Sequence, residues 1–107
     1  YQKAELQYSK VLKILSNSTI DKNLKDQLKR ASLSIVLNIA EGAGKFSKND
    51  KKNFYVISKG SVNECVAIIR ILKIEKLITD KLFDNIYADL LEIAKMLSGL
   101  INTMLKR

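Results

Sequence analysis

Residues 80–104 read DKLFDNIYADLLEIAKMLSGLINTM. Phe83, Ile86, Leu90, Ile93, Leu97, Leu100 and Met104 step along this stretch by three and four. That rhythm lines them up on one stripe of an α-helix; a strand, with period two, would scatter them over both faces. Thr79-Asp80 supplies an N-cap at the front of the stretch. A helix with one apolar stripe has to bury it against something, and the rest of the chain supplies that partner in kind.

Three more segments carry the same rhythm. Tyr1, Ala4, Tyr8, Val11 and Leu15 form the first; Leu24, Leu28, Ala31, Ile35, Asn38 and Gly42 form the second. Phe54, Ile57, Ser61, Glu64, Ile68, Ile71, Glu75 and Ile78 form the third. Heptad-like seams belong to helices that cross at shallow angles. The punctuation agrees. Ser16 to Thr19 is a turn cluster, with Asp21 or a nearby Ser or Thr as N-cap. Gly42-Ala43-Gly44 ends the second helix by the glycine route. Ser47 to Asp50 approximates a capping box with Asp in place of Glu. The expected map is helices 1–16, 21–43, 48–77 and 80–106 within a single domain, 1–107. Loops this short make consecutive helices antiparallel, so the fold is all-α, an up-down four-helix bundle.

Composition narrows the function. The 107 residues hold 47% hydrophobic and 28% charged residues, no Pro, no His and one Cys. Such a chain is neither disordered nor membrane-spanning. Without His, zinc sites of the ordinary kind and His-based general base catalysis are excluded, and no metal or other cofactor is expected. The lone Cys65, the many lysines and the lack of an apolar signal-peptide core at the visible start place the protein in the cytoplasm. Cys65 reads as a small buried apolar residue, not a nucleophile. Tyr1, Tyr8, Tyr55, Tyr87, Phe46, Phe54 and Phe83 could stack on bases, but most fall on seams and read as core.

The net charge of +8 favours anionic partners, against the plainer reading of a Lys-rich surface. Lys45, Lys48, Lys51 and Lys52 cluster at the start of the third helix, and Lys48, Lys52 and Lys59 share a helical face. These five are the candidate nucleic-acid contacts. Lys22, Lys25, Lys29 and Arg30 make a weaker patch that Asp26 interrupts. Gly42-Ala43-Gly44-Lys45 is not a phosphate-binding P-loop: Ile39 stands at the first glycine position, Phe46 follows the lysine, and a helix precedes it.

Two oddities remain. Residues 31–40 are apolar nearly all round, and the third helix has a second apolar stripe at Tyr55, Val62, Val66, Ile69 and Leu72. So small a bundle cannot bury both, which points to contact between copies. Polar residues also sit on the seams: Asn38, Glu41, Ser61 and Glu64. A buried carboxylate needs compensation, so these residues read as a satisfied network fixing helix register. A catalytic pair Glu41–Glu64 is the outside reading.

Asn38-Ile39-Ala40-Glu41-Gly42, followed by Phe54 and then Gly60-Ser61-Val62-Asn63-Glu64, resembles a known family. Its members are bacterial four-helix bundle proteins encoded within intervening sequences of 23S ribosomal RNA genes, with stand-alone relatives. Met96 to Ile101 is similar to the family's last helix, and the resemblance spans about residues 24–104. It implies a bundle that assembles as a homo-oligomeric ring, pentameric in known members. It implies no enzymatic activity and an RNA-related role. The accessory variability protein of diversity-generating retroelements, a distant relative, partners a reverse transcriptase and RNA. Asn38, Glu41, Gly42, Ser61 and Glu64 carry over as motif residues of structural role. Lys45 stands where many members carry Arg, which makes any grip on phosphate less directional. The expected partners are therefore copies of itself, RNA or DNA, and a nucleic-acid-handling protein, with no membrane.

Overall fold

The computed structural model describes residues 2–105. Four helices follow in order: α1 Gln2–Leu15, α2 Lys22–Ala43, α3 Lys48–Ile74 and α4 Asp80–Leu105. The seam position expected at Tyr1 and the helix ends expected at residues 1 and 106 lie outside the described residues. Each helix packs on its chain neighbours, and α1 packs on α4; among the described residues the diagonal pairs do not meet. The result is a square up-down bundle, 49 Å long and about 20 Å across. The antiparallel sense is visible in successive contacts: Gly42 of α2 faces Tyr55 of α3 while Ser34 meets Ser61, and Lys73 of α3 lies over Phe83 of α4 while Arg70 meets Tyr87. Ser58 Oγ donates to the Ile35 carbonyl at 2.9 Å between α3 and α2, and Arg70 of α3 reaches Tyr87 of α4 at 3.4 Å.

The α4 stripe behaves as its spacing predicts: Phe83, Ile86, Leu90, Ile93 and Leu97 are buried. So is Asp89, which the sequence did not single out, and Lys10 and Lys3 of α1 pair with its carboxylate. Thr79 caps α4 by accepting the Leu82 N–H. Ser47 likewise caps α3, accepting the Asp50 N–H at 3.1 Å. Asp21 occupies the N-cap of α2 but makes no side-chain cap hydrogen bond.

Three expectations are corrected. First, the face of α3 that meets the core is not the seam of Ile57, Glu64, Ile71 and Glu75, which are exposed. The buried face runs through Tyr55, Ser58, Ser61, Val62, Cys65, Ile69 and Leu72, with Ile68 at its edge. Small side chains at Ser58, Ser61 and Cys65 let α2 approach closely, which spacing alone does not reveal. Second, α3 stops at Ile74, three residues early. The Lys76 N–H donates to the Lys73 carbonyl and the Leu77 N–H to that of Leu72, while Lys76 sits at φ 60°. That is a Schellman ending, with Leu77 and Leu72 as its apolar pair. Third, α2 does not end through a left-handed glycine. Gly44 has φ −85°, and its N–H is shared between the Ala40 and Glu41 carbonyls.

Gly42 is glycine for another reason. A Cβ there would stand 2.7 Å from Tyr55 Cε1 and 3.2 Å from Phe54 Cβ. The residue leaves no room for a side chain where α2 packs on α3. No described helix is long and apolar enough to cross a membrane.

Candidate nucleic-acid interface

The turn between α2 and α3 is tied down by its own lysines. Lys51 Nζ donates to the Ala43 carbonyl at 3.2 Å and to that of Gly42 at 3.4 Å, closing the C-terminus of α2 with a positive charge where the helix dipole favours one. Lys45 stands 3.8 Å from the Glu41 carboxylate and 5.3 Å from the centre of the Phe54 ring. Lys45 and Lys51 are thus partly committed within the protein. Lys48 is exposed, and Lys52 and Lys59 are half-buried.

Because α3 is unbroken from Lys48 to Ile74, successive residues turn by 100° and residues eleven apart nearly eclipse. Lys48, Lys52 and Lys59 therefore share one flank, as expected. Arg70 continues it eleven residues beyond Lys59, with Lys73 near the same line. The sequence reading missed these two. The signal was present in their spacing but was masked by the apolar residues between.

Phe46, at the apex of the turn, is fully exposed and packs on nothing in the core. That corrects the core reading for this aromatic. Tyr55 and Phe83 are buried, and Tyr8, Phe54 and Tyr87 are half-buried.

The motif residues separate into two groups. Asn38 Nδ2 donates to the Ser34 carbonyl at 2.9 Å and to Ser34 Oγ at 3.0 Å. Ser61 Oγ bonds to Ser34 Oγ at 2.8 Å. Asn38 and Ser61 are thus joined between α2 and α3 through Ser34, which the sequence reading did not pick out. Glu41 and Glu64 are outside this network: both are exposed, so the buried carboxylates expected from the seam are not there. Glu64 lies one residue from Cys65, about 100° off the core-facing line. Its charge adds to the stronger effect of burial, and together they push the Cys65 thiol from 9.0 up to about 12. A thiol held protonated to that degree is inert. Among the described residues, no three Cys, Asp or Glu side chains gather as a metal site.

Concave surface collects at the opposite end of the bundle, around the α3–α4 turn. A recess of about 410 Å³ is lined by Arg70, Lys73, Ile74, Lys76, Asp80 and Phe83. A second, of about 330 Å³, lies between α1 and α4 and includes Lys10, Lys13 and Lys81.

Comparison with known proteins places this geometry. The sequence model of the 23S rRNA-intervening sequence protein family matches residues 1–99. A crystal structure of a protein of unknown function from the S23 ribosomal protein family of Bacteroides thetaiotaomicron superposes with a TM-score of 0.87. It is 26% identical, and the match covers 94% of this chain and 95% of that one. No curated protein matches the sequence.

Proposed function

The chain belongs to the 23S rRNA-intervening sequence protein family, and on that premise we propose that it is a non-enzymatic basic bundle that binds nucleic acid through phosphate contacts. Copies of it assemble into a ring, pentameric as the family resemblance implies. The observation that carries the nucleic-acid reading is the continuous α3 flank. From Lys48 to Arg70 it aligns four basic side chains over about 33 Å of helix, at 1.5 Å per residue. Charge spread along a line suits a polyanion better than a compact ligand. Lysine contacts on a helix edge position a backbone and read no bases. The net charge of +8 agrees.

A second reading rests on a different surface. Ile57 and Ile71 are exposed on the side of α3 turned away from the basic flank, which fits a protein-interaction scaffold docking a nucleic-acid-handling partner. Partner capture that survives nuclease treatment would favour it.

The test of the first reading is RNA and DNA binding over a salt series, with the oligomeric mass recorded in the same buffers. Steep weakening with salt is expected. Lys45→Glu with Lys48→Glu should lower affinity at least tenfold while the mass stays constant, because two repulsive charges replace two attractive ones. An intact oligomer that binds neither polymer at low salt would sink the proposal.

A further inference from the structure

We propose that the recess at the α3–α4 turn is a phosphate-binding cleft for a polynucleotide backbone, with Arg70, Lys73 and Lys76 as its contacts. The inference rests on the nucleic-acid reading above and moves its tightest contact to the end of the bundle away from the α2–α3 turn.

Two independent features single out this cleft. The first is how its cations are held. Arg70 lies 5.4 Å from the centre of the Tyr87 ring, and Lys73 lies 4.4 Å from that of Phe83. The two rings are themselves stacked, 5.4 Å apart and 14° from parallel. A cation on a ring face is attracted by the ring quadrupole and keeps its full charge. A cation in an ion pair is neutralised by its partner. Among the described residues, no carboxylate comes within ion-pair distance of Arg70, Lys73 or Lys76. Lys45, by contrast, has Glu41, and Lys10 has Asp89. The cleft therefore offers positive charge that is positioned in advance and not ion-paired, which lowers the ordering cost of gripping an anion. Arg70 adds a planar guanidinium suited to bidentate contact with phosphate oxygens.

The second feature is Lys76. Among the described residues it is the only non-glycine with positive φ, at 60°. The Schellman ending puts it at the position where glycine is usual, because a side chain there is strained. Local strain of this kind gathers at functional sites. Here the strained residue lines the recess beside Arg70 and Lys73.

The shape fits a chain, not a capped small molecule. A neighbouring recess shares Lys73, Lys76 and Asp80 and reaches Thr79. Thr79 also borders the recess that holds Lys13 and Lys81. The basic surface thus runs across the turn from α3 toward α1. Asp80 is the one acidic residue lining it, and successive phosphates can pass to either side of that carboxylate.

The test measures binding of a short labelled single-stranded RNA over a salt series, with melting temperature recorded for each variant. Arg70→Gln with Lys73→Gln should make the slope of log affinity against log salt shallower by about 1.4, which is about 25-fold weaker binding near 0.1 M salt. Lys3→Gln with Lys95→Gln removes the same charge from outside every basic patch and should leave the slope within about half a unit. Lys76→Gly should raise the melting temperature by about 4 °C while making the slope shallower by about 0.7, so a loss of binding cannot be put down to unfolding. Equal effects of the two double variants would overturn the cleft, since net charge alone would then account for binding. So would loss of binding in Lys45→Glu with Lys48→Glu alongside unchanged binding in the cleft pair, an outcome that leaves the proposed function standing. Absence of binding by the unaltered protein would remove both.

Discussion

A single missing methyl sets how close α2 and α3 can lie. Glycine inside a helix costs about 1 kcal/mol relative to alanine, so Gly42, buried in the last turn of α2, needs a compensating reason. The 2.7 Å that would separate an added Cβ from the buried Tyr55 ring supplies it. Gly42→Ala should recover about 1 kcal/mol of helix propensity and lose about 1–3 kcal/mol to displacement of Tyr55 and Phe54, for a net loss of up to about 2 kcal/mol. Gly99 makes the control: a Cβ there meets nothing within 4 Å. Gly99→Ala should stabilise by up to about 1 kcal/mol. Urea unfolding of both variants decides the matter, and a Gly42→Ala protein as stabilised as Gly99→Ala would refute the close-approach account. The same contact explains why the glycine of the Asn38–Gly42 string reads as a family mark without being a turn residue.

At the level of elements, the caps were legible and the α3 register was not. Ser47 and Thr79 each bond the backbone N–H three residues on, as their positions in the sequence suggested. Asp21 sits at its N-cap without such a bond. Ser47→Ala should therefore cost about 1 kcal/mol and Asp21→Ala distinctly less, measured by thermal or urea unfolding. Equal losses would mean that Asp21 acts through its charge at the start of α2 instead. The register of α3 failed for a physical reason. Two apolar stripes run along one helix, and period alone ranks them by residue size. The core instead took the stripe with Ser58, Ser61 and Cys65, because small side chains admit the closer packing and their hydroxyls find partners at Ile35 and Ser34. Asn38, Ser61 and Gly42, read as seam positions, lie where α2 meets α3. Glu41 and Glu64, read as buried by the same seam, face water. Ser34 was missed because a serine does not stand out by residue type, and Arg70 because apolar residues separate it from the lysines of its flank; only the packed helices show what each one reaches.

For the molecule as a whole, the stripe that lost the core still has to be explained. Ile57 and Ile71 remain 51% and 43% exposed, on the side of α3 turned away from its basic flank. Gly60 lies among them with open space around it, and Glu64 is the charged residue between Ile57 and Ile71. The basic side chains of α3 keep to a different flank, as the turn of 100° per residue from Lys48 through Lys59 to Arg70 shows. A helix that segregates apolar from basic surface in this way can meet a copy of itself on one side and a polyanion on the other without either contact blocking the other. Apolar surface covered by another subunit contributes about 25 cal/mol per Å², so placing charge on it should break the assembly and spare the fold. Ile57→Glu with Ile71→Glu is expected to give a monomer by light scattering, with helical content retained, since neither side chain contributes to the core. On the proposed ring and nucleic-acid role, its RNA affinity should fall as well, because contacts that act together across subunits are lost on dissociation. If the doubly charged variant keeps the mass of the unaltered protein, α3 does not form the interface between copies. The exposed isoleucines would then be the docking face for a different partner.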